Sequence, residues 1–277
     1  MEPNQNSGAL NVASNAALEA GKVIAQSIVH LNRVNTLQSD NAEILTDVDV
    51  FVEKTIIHYL DEAYPEYNII SADSGDMGRE SEFCWLIDPI DGTQNFLHGH
   101  PQCAVSIALQ HKQMQTAEQK KEIVAAVVYD PFRNELFTAR KGAGAQLDNR
   151  RIRVSDKSRL SDSLLCTDFP QRSNKLAKEQ TKAWLKSFAG VLPRAQSVQR
   201  SGSPVLDLAY VAAGRYDGLW EHALNPCGIA AGSLLVREAG GLVTDIGGSS
   251  DVFLSGNLVA GTPKVHDKLS QLLNYSA

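Results

Sequence analysis

No stretch of this 277-residue chain is uninterrupted and apolar for the length that a membrane span requires. Cysteine is scarce: Cys84, Cys103, Cys166 and Cys227 include no C-x-x-C pair and no zinc spacing. The first three lie in apolar runs, which predicts buried thiols in a reducing compartment. Basic excess is missing as well. Lys and Arg number 26 against 32 Asp and Glu, and a net charge of −6 gives no general footprint for nucleic acid. The one basic cluster, Arg150, Arg151, Arg153, Lys157 and Arg159, reads as the solvated rim of a hairpin. Met1–Ser7 is polar, without a basic or apolar leader region, so a cytoplasmic location is expected. There is no internal repeat, and Gly142-Ala143-Gly144 opens no G-x-G-x-x-G, so it marks a turn and not a nucleotide loop. What is present is ordinary, 43% hydrophobic and 21% charged, in a chain long enough for a sizeable core.

Apolar spacing predicts an amphipathic helix over Leu10–Leu31, then a polar loop, Asn32–Glu43. Thr46 is placed to N-cap a second helix to about Ala63, with Val48, Phe51, Val52, Ile56 and Leu60 inward and Pro65 as its stop. Strands are expected at Asn68–Ser71, Cys84–Ile87, Ala104–Gln110, Ile123–Tyr129, Glu135–Arg140, Ala145–Leu147 and Arg151–Val154, with His111–Lys121 a polar connection. Beyond Ser161 the elements alternate. Strands are expected at Leu164–Thr167, Tyr216–Glu221, Leu242–Asp245 and Leu258–Ala260. Helices are expected at Ser173–Phe188, Ser203–Ala213, Gly228–Ala239 (closed by Gly240-Gly241) and Lys264–Leu273. Such an order implies a layered α/β or α+β sandwich in two halves.

The most informative stretch is Trp85–Phe96, W-L-I-D-P-I-D-G-T-Q-N-F. An apolar strand ends in Asp88 and Asp91, Pro89 stiffens the corner, and Gly92-Thr93 opens a helical turn. Gly92 lets backbone approach a ligand, and free N–H groups at a helix start accept phosphate oxygens. Two carboxylates and a carbonyl beside such a cradle suit Mg²⁺ holding a phosphate ester.

These residues, with Leu45–Asp49 (L-T-D-V-D), Val127–Pro131 (V-V-Y-D-P), Asn134–Ala139, Gly202–Gly214 and Arg237–Gly241, resemble the inositol monophosphatase family over nearly the whole chain. The likeness is strongest to its bacterial SuhB-type members. The resemblance implies one domain over 1–277, folded as a five-layered αβαβα sandwich and normally dimeric. The half 1–155 would carry the metal and phosphate loop, and 156–277 the α/β remainder. It implies Mg²⁺-dependent hydrolysis of inositol monophosphate or a similar sugar phosphate. Asp88, the Ile90 carbonyl and Asp91 would be metal ligands, and the Gly92 and Thr93 amides would bind phosphate. The Thr93 hydroxyl, oriented by Asp49, would position the attacking water. Asp91, Glu221 and the Gly202–Ser203 segment would face the sugar or inositol hydroxyls.

The chain departs from the family pattern at two metal ligands. Ala72, in Ser71-Ala72-Asp73-Ser74, stands at a shared glutamate ligand, and Gly228 at the aspartate of the second metal. Pro204 replaces the usual alanine of the substrate loop. Asp73 is one position away from the lost glutamate and, on a strand, would face the other way. Hydrolysis is therefore expected to be weak or lost, with fewer Mg²⁺ ions held. SuhB-type relatives join ribosomal RNA antitermination through the transcription factor NusA and RNA polymerase, a role that needs surface and no metal. A third reading is another substrate, fructose bisphosphate or a 3′-phosphonucleotide. His98 and His100 lack a third ligand and are expected to be solvated. His222 either lines the pocket or is a hydrogen-bonded structural histidine.

Overall fold

The computed structural model describes residues 3–37, 45–113, 120–169 and 177–276. Helix α1 (Pro3–Ser27) buries Ala9, Ala13, Ala16, Ala17, Ala20 and Ile24, small residues that let it lie close on a sheet, and runs into a 3-10 turn, Ile28–Arg33. A short ribbon, β1 (Thr36–Leu37) with β2 (Leu45–Thr46), leads to α2 (Asp47–Ala63). Next come β3 (Asn68–Ser71), β4 (Gly75–Asp76), β5 (Phe83–Asp91), α3 (Thr93–Leu97), β6 (Ala104–Gln113), β7 (Lys120–Asp130), β8 (Glu135–Arg140), β9 (Gly144–Leu147) and β10 (Arg150–Arg151). The C-terminal elements are β11 (Leu164–Cys166), α4 (Ala177–Val191), β12 (Ser197–Gln199), α5 (Pro204–Ala212), β13 (Gly218–Glu221), α6 (Pro226–Glu238), β14 (Leu242–Thr244), β15 (Leu258–Gly261) and α7 (Pro263–Ser276).

Two main sheets result. The larger has the order β10-β9-β8-β7-β6-β5-β3-β4, antiparallel except where β3 runs parallel to β5. The smaller has the order β12-β11-β13-β15-β14, with β11 parallel to both its neighbours. Three apolar cores hold five layers together, the middle one covering both faces of its helix layer. Ile56, Leu60, Trp85, Ile107 and Val127 join α1 and α2 to one face of the large sheet. Leu86, Ala126, Leu208, Ile229, Leu235, Leu219 and Ala260 fill the middle, where α5 and α6 lie between the sheets. Leu165, Trp220, Val259, Val265 and Leu269 bind the small sheet to α4 and α7. This is the αβαβα sandwich that the resemblance implies. Among the described residues no helix is long and apolar enough to cross a membrane.

The middle layer depends on a close helix crossing. A Cβ added at Gly232 of α6 would lie 2.4 Å from Leu208 Cβ on α5. Gly232→Ala is therefore expected to destabilise by about 1–3 kcal/mol through overpacking, read as a lower urea midpoint with an unchanged slope.

Several expectations need correction. Phe51 is 59% exposed: α2 uses Val48, Val52, Ile56 and Leu60 inward, and Phe51 falls outside that stripe. The strand expected over Cys84–Ile87 continues to Asp91, because β6 pairs with it along that whole length. The strand expected over Arg151–Val154 is only Arg150–Arg151, paired across a tight hairpin. β12 is too polar and short to show an alternating pattern, and parallel pairing with β11 makes it a strand. The expected start of the Ser173–Phe188 helix lies outside the described residues, as do parts of the Asn32–Glu43 and His111–Lys121 connections.

Candidate functional site

The two carboxylates of D-P-I-D owe their convergence to a β-bulge. Asp88 pairs with Ser106 and Asp91 with Ala104, so three steps on β5 match two on β6. In a regular strand, residues three apart point to opposite faces. The extra residue at Pro89–Ile90 puts Asp88 and Asp91 on the same face, with Ser106 and Ala104, toward α6. Ile90 packs into the opposite core below α1 and α2. Gly92 then turns the chain with φ +95° and caps α3. A Cβ there would meet Gln102 O at 2.8 Å and Gly202 O at 3.3 Å, so only glycine fits this crossing.

Thr46 and Asp49 form a reciprocal capping box at the start of α2: Asp49 N–H donates to Thr46 Oγ1 at 3.2 Å, and Thr46 N–H to Asp49 Oδ2 at 2.9 Å. The other oxygen of Asp49 lies 3.4 Å from Thr93 Oγ1, whose hydroxyl also reaches Ile90 O at 3.0 Å. One proton thus has two acceptors, the carboxylate and the carbonyl. Burial pushes the Asp49 carboxyl upward, against the hydrogen bonds from Thr46.

Asp91 is reached from the other half of the chain. Its Oδ2 accepts the Ser203 hydroxyl and the Val205 N–H, the latter at 3.0 Å. Pro204 sits at the first position of α5, where a missing N–H is harmless, and leaves the Val205 N–H to make this contact. Asn95 of α3 secures the same join, donating to Gln102 O at 2.8 Å and Ser201 O at 2.9 Å. Burial drives the Asp91 carboxyl well above its usual range, and the charges of Asp207 and Asp168 add to this. The Gly92, Gly202, Ser203 and Asp91 expectations therefore meet at one place. Asn95 and Ser201 were missed, since neither belongs to a pattern with a chemical role.

Glu221 ends β13 and is only 2% exposed. Its Oε1 accepts the Asp168 N–H at 2.7 Å, and burial, then the Asp168 and Asp207 charges, raise its carboxyl well above the ordinary range. Asp207, on the first turn of α5, is fully buried, and no hydrogen bond of good geometry reaches either oxygen, although the Cys166 thiol and the Ser201 hydroxyl lie near it. Burial lifts it to about 7, while the nearby Cys166 and Ser201 pull it down. Its signal in the sequence is a lone carboxylate inside the apolar run Val205–Ala212.

Gly228 stands against this cluster. A Cβ built on it would lie 3.5 Å from Asp88 Oδ2 and would meet nothing else. Ala72 follows β3, and its N–H donates to Ile87 O, the residue before Asp88, at 2.9 Å. Strand alternation does not apply to Asp73, because β3 stops at Ser71 and Asp73 lies in a turn. Burial, then the Asp88 charge, raises the neighbouring Cys227 thiol to about 12, and Asp73 adds a lesser share. Among the described residues no three His, Cys, Asp or Glu side chains are grouped to hold a metal ion. Asp91 Oδ2 is already engaged twice, by the Ser203 hydroxyl and the Val205 N–H. His98 and His100 are exposed, and His222 lies 3.5 Å from the Ser187 hydroxyl, with burial lowering its proton affinity.

The model of the "Inositol monophosphatase family" matches residues 5–276. "Nus factor SuhB" of Pseudomonas aeruginosa is 42% identical over 258 residues, 92% of each chain. Its Escherichia coli K12 counterpart is 42% identical over 257 residues, again 92% of each. The crystal structure of suhB from Bartonella henselae superposes with a TM-score of 0.87 at 37% identity, covering 96% of this chain and 98% of that one. Inositol monophosphatase from Anabaena gives 0.82 at 34%, covering 97% and 96%. With the D-P-I-D-G-T bulge, the sandwich and these matches in agreement, the chain belongs to the inositol monophosphatase family, among relatives of the SuhB type.

Proposed function

We propose that this protein acts as a Nus factor in ribosomal RNA antitermination, contacting NusA and RNA polymerase as a cytoplasmic homodimer. In this reading its cavity keeps the family's phosphate-ester shape with hydrolysis weak or lost. The observation that carries it is Gly228: the position facing Asp88 Oδ2 at 3.5 Å offers no donor. Relatives named Nus factor SuhB at 42% identity support the contact role. Surface contact needs neither Ala72 nor Gly228 to be a carboxylate. The Asp88–Asp91 face and the Asp49–Thr93–Ile90 contacts favour a second reading, slow hydrolysis of a small phosphorylated polyol or sugar. There the Gly92 and Thr93 amides would take phosphate, Asp88, Asp91 and the Ile90 carbonyl would hold at most one weak Mg²⁺, and Thr93 with Asp49 would orient water.

The test pairs two measurements. Isothermal titration of purified NusA into the protein is expected to give a complex whose affinity is unchanged by a chelator. Mg²⁺ titration without phosphate is expected to give weak binding of one ion or none, and phosphate release from inositol monophosphate far below an intact relative. Two tightly bound ions with family-like turnover, and no NusA complex, would overturn the contact role.

A further inference from the structure

Glu221 is contacted by Asp168, a residue that none of the motifs quoted above covers. The Asp168 N–H donates to Glu221 Oε1 at 2.7 Å, and Asp168 Oδ1 accepts Arg200 Nε at 2.7 Å and the Phe169 N–H at 2.7 Å. Arg200 also lies over the Phe169 ring, 5.2 Å from its centre, and Phe169 meets Trp184 edge to face at 4.8 Å. Trp184 Nε1 closes the circuit by donating to Thr167 Oγ1 at 3.1 Å. Arg200 directly precedes the Ser201–Ser203 segment that holds Asp91 and Asn95.

The consequence is steric and electrostatic. With 2% of its surface exposed and Oε1 accepting a peptide N–H, Glu221 is closed off from a ligand hydroxyl in this arrangement. The Asp168 side chain keeps the peptide in place, because the charge-assisted bond from Arg200 fixes it from outside. We propose that Asp168, latched by Arg200, is a specificity-determining residue that withholds Glu221 from polyol hydroxyls and leaves the cavity selective for the phosphoryl group alone. This rests on the phosphate-ester reading of the cavity. Asp168 acts through Glu221 and the shape of the wall, touching no reacting atom, so it is a positioning residue.

Asp168→Gly and Arg200→Ala remove the latch from its two ends, and Arg200 is exposed enough for truncation to spare the fold. Calorimetry with inorganic phosphate and with inositol monophosphate, in Mg²⁺, gives the ratio of the two affinities. In both variants the ratio is expected to move about fivefold to tenfold toward inositol monophosphate, the effect of one freed charge-assisted hydrogen bond. Hydrogen exchange across 164–169 is expected to quicken in Arg200→Ala. A purely structural role would weaken both ligands together and leave the ratio alone. Inorganic phosphate bound by the parent with an unchanged ratio in both folded variants would overturn the latch while sparing the phosphate reading. A parent that binds neither ligand would remove the phosphate reading and the selectivity with it.

Discussion

Ala72→Glu combined with Gly228→Asp is expected to raise inositol monophosphate hydrolysis about 10²–10³-fold over the parent, the usual worth of a missing catalytic donor. The backbone permits it. Gly228 sits in the first turn of α6 without a left-handed φ, and an added Cβ meets only Asp88 Oδ2 at an ordinary 3.5 Å. A carboxylate there would face Asp88, and the two charges repel unless a cation lies between them. The double variant should therefore be less stable than the parent in chelator and gain stability on adding Mg²⁺, while the parent responds little. Each single change is expected to help little, since ligands acting on one displacement are energetically coupled. Thermal melts with and without Mg²⁺ establish folding and binding before activity is read. A folded, Mg²⁺-binding double variant that stays inactive would mean that the cavity has diverged beyond its ligands. A parent already matching an intact relative would end the noncatalytic reading.

Asp207→Asn is expected to flatten the pH dependence of stability between about pH 4 and 7. Burial raises this carboxyl from the ordinary 3.8 to about 7, so the folded state holds the proton more tightly than the unfolded chain. Its contribution is complete below the unfolded value and is lost as pH climbs toward 7, up to about 4 kcal/mol in all. Glu221 is shifted in the same direction and will also favour the acid side, so the parent alone does not isolate Asp207. The difference between parent and variant does. Urea unfolding at pH 5 and pH 8 should show the variant gaining on the parent at the higher pH. Equal pH slopes in the two proteins would mean that Asp207 is ionised in the fold, held by its Cys166 and Ser201 neighbours.

Much of the architecture is written locally. Thr46-x-x-Asp49 carries its own capping box, and α2 begins at Asp47 as that signature requires. Asn68–Ser71 and Glu135–Arg140 have strand bounds that match their apolar patterns. D-P-I-D-G-T is legible as a corner because its residue types suit a metal and a phosphate. Ala72 and Gly228, neither of which carries a donor atom on its side chain, are equally legible as residue identities.

Facing relationships are another matter. Sequence spacing alone would put Asp88 and Asp91 on opposite faces of a strand; pairing with β6 inserts the bulge that unites them. Glu221 reads as a ligand-facing carboxylate, and the fold brings the Asp168 N–H, just beyond β11, onto one of its oxygens. Phe51 reads as core and is exposed because the buried apolar stripe of α2 runs through Val48, Val52, Ile56 and Leu60. Sequence by itself thus determined most of the elements and the corner, both set by short-range backbone and side-chain chemistry. Which groups share a face, which carboxylate is sealed and which is charged depended on packing between segments far apart in the chain. Only the tertiary structure decides those, since burial and charge proximity exist nowhere else.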